Sequence, residues 1–304
     1  MPTTAATNFL KNSPAEPDDL AALRAELDRI DDGLYELLAH RAEVVVRLAA
    51  SVRKGPVALR PGREAAIIRR LTALRAGPLD ALAVVRIWRE LFAATTALQG
   101  EHAIAVCDPS PDLAYVQIAR EHFGALTPLR RCPGAAEALA EVREGRVTAA
   151  VLPWPLGDED SPAPWWTTLP PHAGTGVSSG DVRLHIVARL PFWASPRPEG
   201  APGPGALVVC AVEPDPSGDD RTILALQASP ATSPSQLAEG LVGYGFRPGP
   251  ALLHREAGRD SAQALVDVEG FVTEADPRLE AMRTAGRSPF VLGAYAVPIG
   301  DESV

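Results

Sequence analysis

The sequence predicts a multidomain chain: an all-α helical region first, an α/β region after it, and an α+β region of βαββαβ order last. Three observations predict this. The first hundred residues are rich in Leu, Ala, Arg and Glu, with apolar positions at helical spacing. From about 101 to 214, short apolar runs alternate with helical pieces and then give way to Pro and Gly. From about 215 to 300 the pattern reads strand, helix, strand, strand, helix, strand. Domains are therefore expected at 1–100, 101–214 and 215–304, with Ser195 to Gly205 as the clearest linker-like stretch.

The first helix is expected to begin near Glu16 to Asp18, where acidic residues suit the positive end of the helix dipole. Apolar residues then recur at Leu20, Leu23, Leu27, Ile30, Leu34, Leu37, Leu38, Val45 and Leu48, a stripe sustained to about Val52 before Gly55 and Pro56. Such a helix of ~35 residues is ~50 Å long. One hundred residues cannot cover it, so the stripe implies a partner, most economically a second copy of the chain. A second helix opens at Pro61, a favoured first-turn residue, and runs to about Arg75 before Gly77 and Pro78. A third runs from about Leu79 to Leu98 and is closed by Gly100, with Leu82, Val85, Trp88, Leu91, Thr95 and Leu98 on one face.

In the middle region the expected strands are Ile104 to Val106, Thr148 to Pro153 and Val182 to Val187, with helices at Tyr115 to Phe123 and Ala135 to Glu144. In the last region they are Thr222 to Leu226, Leu252 to Glu256 and Ala264 to Val268, with helices at Pro234 to Gly243 and Pro277 to Ala285.

Composition excludes several classes of function. Across 304 residues the formal net charge is −9, against the basic face of a nucleic-acid binder. No apolar run is long enough to span a bilayer, and Met1 to Pro14 lacks the pattern of a signal peptide. The three cysteines, Cys107, Cys132 and Cys210, are far apart in sequence and have no metal-ligand spacing. A cytoplasmic protein with no metal and no cofactor is expected.

Four polar residues interrupt this pattern. Arg41 stands where the stripe calls for an apolar residue, and Arg24 lies at its edge. Thr95 sits on the apolar face of the third helix, with Gln99 one turn further on. A buried guanidinium needs an anion. Arg41 could pair with a carboxylate such as Glu64 or extend outward to water, and Thr95 with Gln99 could be a satisfied polar pair. Taken together, inward arginines with a Thr and a Gln one turn apart make a pocket suited to a small dicarboxylate with an ether oxygen.

Leu23-Arg24, Ile30-Asp31, Leu37-Leu38-Ala39-His40-Arg41, Arg63-Glu64 and Thr95 with Gln99 resemble the all-helical class of chorismate mutases over about residues 16 to 100. The seventeen-residue separation of Arg24 and Arg41 matches that family's two carboxylate-binding arginines. The resemblance implies a three-helix domain in an intertwined homodimer, with each active site shared between two chains and chorismate as substrate. Arg41, with Arg24 of the other chain, would bind the two carboxylates. Gln99 would hydrogen-bond the ether oxygen, Glu64 would accept from the ring hydroxyl, Arg63 would line the wall, and Thr95 would stand near a carboxylate. The family's lysine eleven residues after its second arginine is Val52 here, which leaves Arg53 or Lys54 to supply the cation. The family's Asp three residues before its Arg-Glu pair is Arg60.

Residues 103 to 193 resemble the start of a prephenate dehydratase, as a remnant of one lobe. Its glycine-rich turn is replaced by Cys107-Asp108-Pro109-Ser110-Pro111, and its Pro-Ile-Glu-Asn-Ser by Pro153-Trp154-Pro155-Leu156-Gly157. Gly205-Ala206-Leu207 stands where Thr-Arg-Phe belongs. A structural role is therefore expected. Residues 219 to 299 resemble an ACT domain, a fold that often binds an amino-acid effector. Ser233 to Leu237 and His254-Arg255-Glu256-Ala257 replace its phenylalanine-binding motifs.

Overall fold

The computed structural model describes residues 17–51, 59–74, 77–109, 111–155, 164–170, 182–193, 205–256 and 258–300. The expectations for Glu16, Val52, Arg53, Lys54, Gly55, Pro56 and most of the Ser195–Gly205 stretch lie outside these residues. The chain divides into two compact units, 1–53 and 54–304.

The described residues of the first unit form one helix, α1 (Pro17–Ser51), of 35 residues. Its bounds are those expected from the stripe. The stripe is exposed along its length: Leu23 is 53%, Leu27 59%, Leu34 52% and Leu48 61% accessible.

The second unit opens with α2 (Pro61–Leu74) and α3 (Ala81–Ala97), which pack on each other through Ala65, Ile68, Val85 and Phe92. Asp80 caps α3 by accepting from the Leu82 amide at 3.2 Å. The buried face of α3 differs from the expected one. Val85, Arg89, Phe92, Thr95 and Thr96 are buried, whereas Leu98 is 55% exposed. The buried face includes Arg89, which lies off the expected stripe beside Trp88.

An α/β region follows: β1 (Ile104–Cys107), α4 (Ala114–Phe123), β2 (Leu129–Cys132), α5 (Ala135–Arg143), β3 (Ala149–Pro153), a 3-10 turn at Trp165–Thr168, β4 (His185–Leu190) and β5 (Ala206–Cys210). The last part runs β6 (Asp220–Ala228), α6 (Pro234–Gly243), β7 (Pro248–His254), β8 (Ala262–Glu269), α7 (Pro277–Thr284) and β9 (Phe290–Ala296), the expected βαββαβ order. Two strands are offset from expectation. The strand expected at Val182 to Val187 is β4, three residues further on, and the one expected at Leu252 to Glu256 is β7, which starts at Pro248.

Among the described residues, nine strands form one sheet in the order β2-β1-β3-β5-β4-β9-β6-β8-β7. β1 runs parallel to β2 and β3, with α4 between β1 and β2 and α5 between β2 and β3 in the chain. β5 is antiparallel to β3 and β4. Within the βαββαβ part, β9, β6, β8 and β7 are all antiparallel neighbours. Alternation along β1 sends Ala105 and Cys107 to one face, with Leu139 and Val142 of α5 in the same core. Ile104 and Val106 go to the other, with Ile118 and Phe123 of α4. A third core lies between the four-stranded end and α6 and α7, around Leu224, Leu241, Val266 and Leu279.

Candidate active site

The expected site residues fall on both units. On α1, Arg24 is exposed and Arg41 half-buried. At 1.5 Å per residue, their seventeen-residue separation is ~25 Å along the axis. One straight helix therefore cannot offer both guanidinium groups to one small molecule.

On α2, Arg63 and Glu64 are the third and fourth residues of the helix. Arg63 is exposed and Glu64 half-buried. The Glu64 Oε2 accepts from Arg89 Nη1 at 2.9 Å, with the Arg89 side chain only 4% exposed. Arg89 is the residue that sequence reasoning missed. Its signal was available, since Val85, Arg89, Phe92 and Thr96 form a 4-3-4 face on which a lone arginine demands an anion. Burial lowers the Arg89 pKa, and the Glu64 charge and hydrogen bond oppose that shift. The Arg89 guanidinium also lies over the Phe192 ring, 5.2 Å from its centroid.

On α3, the buried Thr95 hydroxyl donates to the Leu91 carbonyl at 2.8 Å and the Phe92 carbonyl at 3.2 Å. Gln99 lies just beyond the helix, exposed, with its Nε2 3.5 Å from the Thr95 carbonyl. That long contact leaves the amide free to turn toward a better acceptor. Val52, Arg53 and Lys54 lie outside the described residues.

Beside the Arg89–Glu64 pair, a cavity of about 500 Å³ opens between α3, α4 and the residues after β4, with Leu82, Arg86, Arg89, His122 and Phe192 among its lining. Burial and the adjacent Arg89 charge hold the His122 pKa well below its ordinary value, so this ring is neutral.

Asp108 is buried and accepts from the Val116 amide of α4 at 3.2 Å. Trp154 packs edge-on to Tyr295 at 6.3 Å, and the Arg189 guanidinium lies over it at 4.8 Å. Behind it, Asp267 accepts from Arg221 Nε at 2.7 Å and from the Tyr295 hydroxyl. The cavity bordered by Trp154, Leu207, Ile223 and Asp267 is about 100 Å³, below the roughly 300 Å³ of a small ligand site. Among the described residues, no group of three or more His, Cys, Asp or Glu is placed to hold a metal ion. No described helix is long and apolar enough to cross a membrane.

Residues 23–100 match the family model described as chorismate mutase type II. Curated relatives extend the comparison. The bifunctional chorismate mutase/prephenate dehydratase of Pseudomonas aeruginosa is 33% identical over 146 residues, 46% of this chain and 40% of the relative. The enzyme of the same description from Stutzerimonas stutzeri is 30% identical over 145 residues, with the same coverage of each chain. The chain thus spans about 40% of the length of the curated relatives it matches. Among solved structures, a prephenate dehydratase from Streptococcus mutans superposes with a TM-score of 0.45 at 18% identity, covering 64% of this chain and 98% of that one.

Proposed function

We propose that the protein is a chorismate mutase, rearranging chorismate to prephenate in aromatic amino-acid biosynthesis. The observation that carries the proposal is the spacing of Arg24 and Arg41 along the unbroken α1, within a stretch that matches the mutase family. The reaction is an intramolecular Claisen rearrangement and needs neither nucleophile nor proton transfer. The protein must hold the reactive conformer and stabilise charge on the ether oxygen as its bond breaks. Arg41 of one chain and Arg24 of its partner clamp the two carboxylates, which supplies orientation. Gln99 donates to the ether oxygen, and one preorganised donor of this kind is worth about 3 kcal/mol. Glu64 accepts from the ring hydroxyl, Arg63 and Thr95 line the pocket, and Arg53 or Lys54 provides the cation. The same arrangement covers the exposed stripe of α1 with a second copy, in a homodimer with shared sites.

A second reading is a non-catalytic regulatory or scaffolding protein of the same pathway. It is favoured by Val52 at the family's lysine position and by Arg60 at its Asp position. A bifunctional mutase–dehydratase is disfavoured, because the dehydratase motifs are replaced at Cys107–Pro111, Pro153–Gly157 and Gly205–Leu207.

The finer part of the proposal concerns an amino-acid effector at the βαββαβ region. Ser233 and Gln236 close a capping box on α6, while Arg255 donates to the Pro230 and Thr232 carbonyls at 2.9 and 2.8 Å. These local bonds engage the segments where effector motifs would stand, so no tight phenylalanine binding is expected.

Purified protein mixed with chorismate, with its loss followed by absorbance, tests the reading. Loss well above the spontaneous rate is expected, and no loss at micromolar protein would sink it. L-phenylalanine added to the same assay should leave the rate unchanged.

A further inference from the structure

Helix α2 carries Arg63 and Glu64, yet its N-terminus is finished by a residue 153 positions further along the chain. Asp215 lies in the connection between β5 and β6. Its Oδ1 accepts from the Gly62 amide at 3.0 Å and its Oδ2 from the Arg63 amide at 2.9 Å. These are first-turn amides for which a helix has no partner of its own. A Cβ at Gly62 would run into the Asp215 backbone, so helix and connection meet with no room for a side chain. Further along α2, Arg69 donates to the Ser217 hydroxyl at 2.9 Å, the Asp219 carbonyl at 3.0 Å and the Val297 carbonyl at 2.6 Å. The connection is itself braced, because Asp220 accepts from the Ser217 and Gly218 amides at 2.9 and 3.1 Å.

A second hold acts on the Glu64 side chain. Its Arg89 partner sits over the ring of Phe192, two residues past β4, and Arg69 stands 5.8 Å from the centroid of the same ring. The backbone turn that bears Glu64 and the cation that orients its carboxylate are thus both fixed by residues of the α/β region.

We propose that the α/β region is the positioning frame of the mutase site: Asp215 sets the first turn of α2 and Phe192 seats Arg89, so that Glu64 meets the substrate in one geometry. The inference rests on the mutase reading. Asp215 and Phe192 are positioning residues and touch no substrate. Losing the Asp215 cap frays the turn bearing Arg63 and Glu64 while leaving the rest of α2 packed. Substrate affinity is set by arginines on α1, so kcat falls and KM does not.

The test uses the full-length chain, with chorismate kinetics and thermal midpoints for the wild type, Asp215→Ala, Asp215→Asn and Phe192→Leu. Arg247→Ala, which breaks an exposed pair with Glu269, is the surface control. Asp215→Ala is expected to lower kcat about tenfold with KM changed by less than about twofold. Asp215→Asn keeps one of the two accepting oxygens and should recover part of the loss, and Phe192→Leu should lower kcat without the cap being touched. Hydrogen exchange should rise at both the Gly62 and Arg63 amides in Asp215→Ala, at one of them in Asp215→Asn, and at neither in Phe192→Leu. Wild-type kcat in a folded Asp215→Ala overturns the proposal. So does an equal fall of kcat, affinity and midpoint in the Ala and Asn variants, which would mark plain fold support. If Asp215→Ala does not fold, wild-type kcat in Phe192→Leu overturns it instead. A wild-type protein that leaves chorismate intact fails the mutase reading itself, and the proposal falls with it.

Discussion

Gly293 of β9 lies against the backbone of Ile186 in β4, at the register pair where the βαββαβ strands join the rest of the sheet. Its φ is +147° and an added Cβ would overlap the Ile186 backbone, so only glycine fits. Gly293→Val should prise the two strands apart and cost more than about 2 kcal/mol. Urea unfolding checks this, and an unchanged midpoint would refute the joint's importance.

If each site takes Arg24 from one chain and Arg41 from the other, two inactive variants should complement each other. Arg24→Ala and Arg41→Ala alone are expected to lose nearly all turnover. A mixed dimer holds one site with both arginines intact and one with neither. Co-refolding equal amounts should restore about a quarter of wild-type activity, since half the dimers are mixed and each has one good site of two. Absence of any recovery would argue for sites built within one chain.

Gln99→Ala should lower kcat about a hundredfold by removing the donor to the ether oxygen. Gln99→Glu should recover activity only as the pH falls and the new carboxyl gains a proton to donate. Steady-state rates from pH 5 to 8 check both expectations, and wild-type-like turnover in Gln99→Ala would remove the residue from the site.

His122 gives a pH dependence of stability with a definite sign. Its folded pKa is depressed, by burial first and by the Arg89 charge second. The unfolded chain therefore binds a proton near pH 6.5 that the folded chain refuses. Stability is full above about pH 7 and falls as the pH drops through 6.5 toward 5. Burial lowers His102 and His185 in the same direction. Denaturant midpoints should thus fall with acidity in the wild type and fall less steeply in His122→Gln.

Prephenate supplied directly should yield no phenylpyruvate above the acid-catalysed background at neutral pH. The stretches that resemble a dehydratase carry Cys107–Pro111, Pro153–Gly157 and Gly205–Leu207 in place of its motifs. Product detected by its enol–borate absorbance would revive the bifunctional reading.

The helices were legible in the sequence because each carries several turns of periodic pattern between Pro and Gly breaks. The bounds of α1 and α6 came out within a residue or two. Strands fared worse where the pattern was short or broken. β2, Leu-Arg-Arg-Cys, carries two exposed arginines and reads as a loop. β7 begins Pro248-Gly249-Pro250, which reads as a turn, and an edge strand tolerates such residues on its free side. For the proposed site, Arg24, Arg41, Thr95 and Gln99 stand out as polar residues in apolar patterns, and Glu64 enters through the family resemblance. Asp215 could not be found that way. It stands among Pro, Ser, Gly and other Asp residues, and its role exists only once the fold brings it 153 positions back to Gly62.

The nine-stranded sheet has two open borders, β2 and β7. β2 is four residues long with charged Arg130 and Arg131 exposed, and β7 is bent by a register shift between Pro248 and Ala251. Neither border offers the long, flat, uncharged row of amides and carbonyls that would template pairing with a stranger's strand. The open sheet is thereby guarded against edge-to-edge aggregation, and neutralising Arg130 and Arg131 together is the change that would lower its solubility first.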